Sequence, residues 1–348
     1  MQLHFSLRTA FAATLAAVLL ASCADAPPPV IAPPPPPAAP AVSLSPKLVE
    51  LASAYRYYMV RATGITPDFT DPAGVARSVQ TGASYEPQQL VRGAIAYSAV
   101  VALQDKAFVE GVRVYAKDPV QRRTIAYEIM KDPAYAVGIQ GSASAAGLVI
   151  AALGGDAQRL YDQGKAVKQA AYDLQRQPWS KIDVTSRPER LAGAKSVSVS
   201  AMAGDVAETA RLQQASTGIA SLGLTATAVP PPYTPTVIRG LAIAALAALG
   251  EANEANSEQV MALTQEPNIG MCASTSKLNL YQCLAVSRPN YEDVFCLGQH
   301  VMMDTGRCMI RAAGLPEPYE ARYIPDAKTI AKGMQVKKPP AKKAKKKS

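Results

Sequence analysis

A chain of 348 residues with 49% apolar but only 6% aromatic side chains is long enough to bury a sizeable core, one built from small residues rather than large rings. Its 36 Lys and Arg exceed its 27 Asp and Glu, but seven of those lysines fall in the last dozen residues, KKPPAKKAKKKS. Without them and Arg8 the count is 28 against 27, which excludes a body that is basic throughout.

The chain begins MQLHFSLRTAFAATLAAVLLASC. Arg8 and the amino terminus form a short positive region, and residues 9–22 are uncharged and rich in Ala and Leu. That is the length of a signal-peptide core and too short for a comfortable membrane span. The run ends Leu20-Ala21-Ser22-Cys23: an aliphatic residue, two small residues and a cysteine. This resembles the lipobox of bacterial lipoprotein precursors, over these first 23 residues alone. The resemblance implies that residues 1–22 are removed and that Cys23 becomes a new amino terminus carrying diacylglycerol and an N-acyl chain. Each buried methylene would add about 0.8 kcal/mol, so several chains on one residue form a stable anchor. The next residue is Ala24, not the Asp that retains some bacterial lipoproteins at the inner membrane. The analogy therefore favours the outer membrane, facing the periplasm, over the inner one. An ordinary signal peptide with a chance cysteine is the alternative.

Residues 23–45 then read as anchor and spacer, with Pro27 to Pro29, Pro33 to Pro37 and Pro40. Such a tract favours polyproline II at about 3.1 Å per residue, giving a semi-rigid reach on the order of 65–70 Å.

From residue 46 the pattern is helical. Asp71-Pro72, Asp118-Pro119 and Asp132-Pro133 pair a capping side chain with a proline that has no amide hydrogen to leave unpaired, and Ser45-Pro46, Glu86-Pro87 and Thr234-Pro235 do similar work. Apolar residues recur at three and four: Leu48, Leu51, Tyr55, Tyr58 and Met59, then Leu90, Ala94, Tyr97 and Val101, then Ile125, Ile129 and Met130. The uncharged stretch AVGIQGSASAAGLVIAALGG (136–155) reads as a central helix packed on all sides, its Gly and Ser content being too high for a good membrane span. WSKIDVTSRPERLAGAK (179–195) reads as irregular, and SVSVS (196–200) is the one fragment with strand alternation. The expectation is an all-α, multi-helix bundle with an N-terminal helical domain (46–214), a linker or loop rich in Pro and Thr (215–234) and a C-terminal helical region (235–327). YEPQQLVRGAIAYSAVVAL (85–103) resembles YTPTVIRGLAIAALAAL (233–249), and PAYAVGIQG (133–141) faintly echoes PNYEDVFCLG (289–298). Two related helical halves and a chance likeness between Ala-rich helices both account for this.

Four further cysteines follow the loop. An even number in an exported protein points to two disulfides; gaps of ten to twelve residues are wrong for structural zinc. SKLNLYQCLAVS (276–287) and YEDVFCLGQHVMMDTGRCMIRAAG (291–314) read as an antiparallel helical hairpin turning at RPN (288–290). Cys283 and Cys296 lie equally far from the turn, and Cys272 and Cys308 nearly so, which favours nested bonds, Cys283–Cys296 inside Cys272–Cys308. Cys272–Cys283 with Cys296–Cys308 is the alternative.

Residues 328–348 read as a solvated, self-repelling tail. Lys337, Lys338, Lys342, Lys343, Lys345, Lys346 and Lys347 suit a polyanion, which outside the cytoplasm means lipid head groups or anionic envelope polymers rather than nucleic acid; a merely solubilising tail is the other reading. The G-x-S-x-G, Walker and H-E-x-x-H patterns are all absent. His4 leaves with the signal, and His300 reads as a helix histidine rather than a general base. Glu292 and Asp293 read as first-turn residues that favour the helix dipole. No cofactor, metal or catalytic residue is expected. The functional expectation is a non-enzymatic scaffold, assembly factor or polymer-binding module of the envelope, with envelope proteins as further partners. A wall-acting hydrolase or a small-ligand carrier is the alternative.

Overall fold

The computed structural model describes residues 38–320. Cys23, the signal segment, most of the proline tract and all seven tail lysines lie outside the described residues.

The described chain holds thirteen α-helices and no β-strand. The Pro-based start signals set most of the early boundaries. Asp71 opens α2 (Pro72–Ala83) by accepting from Gly74 N, Glu86 opens α3 (Pro87–Ala102), Asp118 opens α5 (Pro119–Lys131), and Thr234 opens α9 (Pro235–Leu249). Ser45 precedes α1 (Pro46–Thr63) without a capping bond from its side chain, so proline alone marks that start. Asp132 caps only a short 3-10 segment, Pro133–Gly138. Asp105 caps α4 (Lys106–Arg113) and Asp205 caps α8 (Val206–Ser216), both without a following proline.

Two helices lie at the centre. α3 and α9 are buried on nearly every side and pack on each other. Small residues make this possible: a Cβ on Gly93 of α3 would meet the Leu51 carbonyl oxygen of α1 at 2.6 Å. α1 covers one flank of α3, and α8 in turn covers α1. The first two apolar stripes form these contacts, with Leu48, Tyr55, Leu90, Ala94 and Val101 buried.

α6 (Ser142–Leu174) spans the body at about 50 Å, given 1.5 Å per residue over its 33 residues. It begins six residues later than the uncharged stretch suggested. Gly141 holds φ at +84°, where a Cβ would also strike the backbone of Phe108, so the chain turns there before the helix starts. No described helix is long and apolar enough to cross a membrane.

Two readings change between 179 and 200. A single 3-10 turn occupies Trp179–Lys181, and α7 runs from Arg187 to Val199 across both the supposed irregular stretch and SVSVS. The serines fold back within the helix, Ser198 Oγ to the Ala194 carbonyl and Ser200 Oγ to the Ser196 carbonyl. Packing of Ala194 and Ser198 against α2 and the hairpin decides the conformation that alternation left ambiguous.

Residues 217–234 carry no regular element, yet they do not separate two bodies. Val229 N donates to the Ala143 carbonyl, and Leu222 N to Gln104 Oε1. Helices before and after this loop share one core. Within the resemblance noted between 85–103 and 233–249, α3 and α9 have matching starts and matching burial. The fainter echo pairs a 3-10 segment with an α-helix, so those two stretches do not share a conformation.

After α10 (Ser257–Ala262) comes the C-terminal hairpin. α11 (Pro267–Val286) is capped by Glu266, and α12 (Asn290–Cys296) passes through a π-helical segment, Leu297–Met303, into α13 (Asp304–Ala312). The sequence suggested one uninterrupted second helix; the wider π turns occur where it crosses α6.

Candidate functional site

The hairpin carries the chemistry that the sequence singled out. Cys272 pairs with Cys308 and Cys283 with Cys296, with Cα separations of 5.8 and 5.7 Å. The bonds are nested, the pairing that equal distances from the turn favoured. Between them lies a buried polar ladder: Tyr85, in the turn just before α3, meets Thr305 at 2.8 Å, Thr305 meets Ser276 at 2.8 Å, and Ser276 donates to the His300 carbonyl.

The neighbouring Lys277 is 3% exposed. Its ammonium group points at the Tyr85 ring, 3.6 Å from the centroid, and donates to the Ala83 carbonyl and to Ser198 Oγ. Burial holds this amine well below the usual lysine range, and burial pushes the Tyr85 phenol up to about 12.

Two arginines of α7 close the turn of the hairpin. Helix α11 ends with unpaired carbonyls, as every helix does. Arg187 donates to those of Ser287 and Ala285, and Arg190 to that of Leu284. Arg190 also binds Asp293 Oδ1 at 2.5 Å, and Ser287 Oγ donates to the same oxygen at 2.7 Å. Both charged side chains are almost wholly buried, and burial pushes the Asp293 carboxyl up against the pull of Arg190 and Ser287. The pair forms the floor of a cleft of about 540 Å³, flanked by Ile182, Thr185, Glu189 and Asn290. Asp293 does lie in the first turn of α12, but its role exceeds the dipole effect expected of it. Glu292 stays nearer the surface and accepts from Arg288 N.

A second groove, about 460 Å³, lies beside the inner disulfide. Tyr172 near the end of α6, Tyr291 and Phe295 of α12, and Val286 and Cys283 of α11 line it, with Gln175 and Glu292 on the rim. Tyr172 and Phe295 meet edge to face, 6.1 Å between centroids, and Lys168 Nζ lies 5.7 Å above Phe295. Tyr172 is half exposed.

His300 bonds through Nδ1 to Asp304 Oδ2 at 2.9 Å. Buried Asp156 is held between Arg56 and Arg159. Among the described residues no group of His, Cys, Asp or Glu is arranged to hold a metal ion. The sequence brought forward the cysteines, His300, Glu292 and Asp293. It missed Arg187, Arg190, Lys277 and Tyr172, whose roles depend on partners from 79 to 194 residues away. The one local signal was Arg187-Pro188-Glu189, a proline in a first helical turn inside the stretch read as irregular.

Fold and site together define an all-α body with a doubly disulfide-bonded helical hairpin clamped by arginines. The chain matches no family model, and neither a curated protein nor a solved structure resembles it significantly.

Proposed function

We propose that this is a lipid-anchored protein of the bacterial cell envelope that works by binding, with an anionic envelope polymer as its partner. Export and anchoring rest on the run ending at Cys23 and on the proline tract behind it. Two disulfides suit an oxidising compartment. In this reading Cys23 carries the lipid, the tract after it holds the body off the outer membrane, and Lys337 to Lys347 meet polyanions; the spacer ends earlier than residue 45, because Ala39, Val42 and Leu44 pack on the helical body and Ser43 N bonds the Ala247 carbonyl.

The observation that carries binding over catalysis is the state of Asp293. A wall hydrolase needs a buried carboxyl group free to give or take a proton. Asp293 is the carboxylate at the floor of a cleft, and Arg190 and Ser287 both hold it. Although burial raises this carboxyl, Arg190 and Ser287 share its Oδ1 and tie it to the frame of the hairpin, which serves architecture rather than proton transfer.

The test is affinity purification from envelopes of the full chain and of a variant lacking residues 337–348. Binding predicts that envelope polymer is recovered with the full chain, less with the truncation, and less at high salt. Recovery of no polymer by either chain contradicts the reading.

A further inference from the structure

The carboxyl group of Asp293 has two oxygens, and the frame of the hairpin uses one. Arg190 and Ser287 both donate to Oδ1, while Oδ2 accepts from no donor among the described residues. Asn290, one helical turn earlier on α12, is in the same state. Its Nδ2 donates to the Ile182 carbonyl, and its Oδ1 has no donor among the described residues. Asn290 is 4% exposed and Asp293 2%. Neither spare oxygen is sealed inside the protein, and both side chains line the cleft of about 540 Å³. Oxygens in so sheltered a place are costly unless something donates to them. Arg190 cannot, because its Nη atoms serve Asp293 and Leu284 and its Nε is closed off from solvent. The floor of the cleft therefore presents two neighbouring acceptors that call for a donor.

The rest of the cleft sets the kind of donor. Asp183 and Glu189 stand exposed at its mouth, and Arg190, already matched by Asp293, is the sole cation among the described residues that line it. The two helix starts that border it are answered by carboxylates of their own: Asp71 caps α2, and Glu189 lies in the first turn of α7. An anion entering the cleft would meet Asp183, Glu189 and Asp293 with one guanidinium that is already paired. Between floor and mouth the walls are apolar, with Pro72, Ala73, Val75 and Ala76 of α2 on one side and Ile182 and Val184 on the other. The second wall is tied to the turn of the hairpin, Val184 N donating to the Arg288 carbonyl and Asn290 N to the Ile182 carbonyl. Acceptors at the floor, apolar walls and carboxylates at the mouth suit a molecule with ammonium groups spaced by methylenes.

We infer that this cleft binds a linear aliphatic diamine or polyamine, with one ammonium group on Asp293 Oδ2 and Asn290 Oδ1 at the floor and the next held by Asp183 and Glu189 at the mouth. Aliphatic ammonium groups stay charged near neutral pH, since their ordinary value is close to that of lysine, about 10.4. Each donates up to three hydrogen bonds, and those to carboxylates are the stronger kind. The methylene stem lies along the small side chains of α2. The volume falls in the range of small-molecule sites, about 300–1,000 Å³. This ligand is distinct from the polymer proposed above.

Equilibrium dialysis of the full, lipid-bearing chain in non-ionic detergent against radiolabelled 1,4-diaminobutane, at pH 7 and about 0.15 M salt, tests the assignment. Wild type is expected to bind the diamine. Unlabelled 1,4-butanediol, of the same length but uncharged, should not displace it. Glu189→Gln and Asp183→Asn, both at exposed positions, should each weaken binding by up to about fivefold, the scale of one exposed charge pair. Ala76→Leu, which fills the path of the stem from an exposed helix position, should weaken it by about tenfold or more. Arg190→Met with Asp293→Leu removes the floor acceptor together with its partner charge and should abolish binding. Thermal melts establish that each variant is folded, and Ala76→Leu alone decides if the double variant is not. Failure of wild type to bind the diamine, or binding that Ala76→Leu leaves unchanged, overturns the site and leaves the polymer reading standing. Displacement by equimolar calcium ion, which also takes carboxylate and amide oxygens, overturns the amine assignment.

Discussion

Arg190 of α7 and Asp293 of α12, 103 residues apart, meet at 2.5 Å with 7% and 3% of their side chains exposed. The guanidinium also donates to the Leu284 carbonyl near the end of α11, so one side chain ties α7 to both arms of the hairpin. Burying two charges is costly, and removing one partner leaves the other stranded. Arg190→Met is expected to destabilise the fold by about 3–5 kcal/mol. Arg190→Met combined with Asp293→Leu should recover much of that loss, because no unpaired charge remains. Denaturant titration of the two variants checks both statements.

The pH dependence of stability follows from Lys277. Its amine titrates near the usual lysine value when the chain is unfolded and well below it when folded. Between those values the unfolded chain binds more protons, so stability rises with pH up to about 10.5 and is lost as pH falls through the lower, folded value. Tyr85 acts oppositely: its raised value, about 12, gives stability that is present below the ordinary phenol range and lost as pH rises through the folded one. Measured from pH 7 to 10, wild type should gain stability relative to Lys277→Met. A pH-independent difference between them would show that the amine is not desolvated.

The two disulfides should not contribute equally. Chain-entropy arithmetic over separations of 36 and 13 residues gives about 4 kcal/mol for Cys272–Cys308 and about 3 kcal/mol for Cys283–Cys296. Melting of Cys272→Ala/Cys308→Ala against Cys283→Ala/Cys296→Ala should rank the outer bond first.

Where α6 crosses the π segment, Gly164 and Gly298 face each other. A Cβ on Gly298 would lie 2.5 Å from Lys168 N, and one on Gly164 would lie 2.8 Å from Met303 N. These are backbone atoms and cannot step aside singly. Gly164→Ala and Gly298→Ala should each cost on the order of 1–3 kcal/mol, as overpacking does. Thermal unfolding of the two variants tests this.

Much of this architecture was legible in the residues. Asp or Glu followed by Pro marks the starts at Pro72, Pro87, Pro119 and Pro267, because both residues act within one turn, whereas Asp132-Pro133 opens only a 3-10 segment and Glu317-Pro318 opens no helix. Nested disulfides were legible because a hairpin turns distance along the chain into distance in space. SVSVS was not, since alternation over five residues does not separate a strand from a helix whose serines bond backward. Nor could local pattern show Arg190 reaching Asp293, Lys277 lying under Tyr85, or α6 continuing through polar residues to Leu174. Those depend on which helices meet. The π segment was hidden for the same reason: Leu297–Met303 reads as ordinary helix until Gly164 lies against it.

Anchoring is the premise on which location, spacer and partner all depend, and intact-mass spectrometry of the protein isolated from its native envelope addresses it most directly. Lipidation at this position predicts a chain that starts at Cys23, heavier than its amino-acid sequence by three acyl chains and a glycerol, with four further cysteines oxidised. A chain retaining residues 1–22, or one starting at an unmodified Cys23, would contradict it.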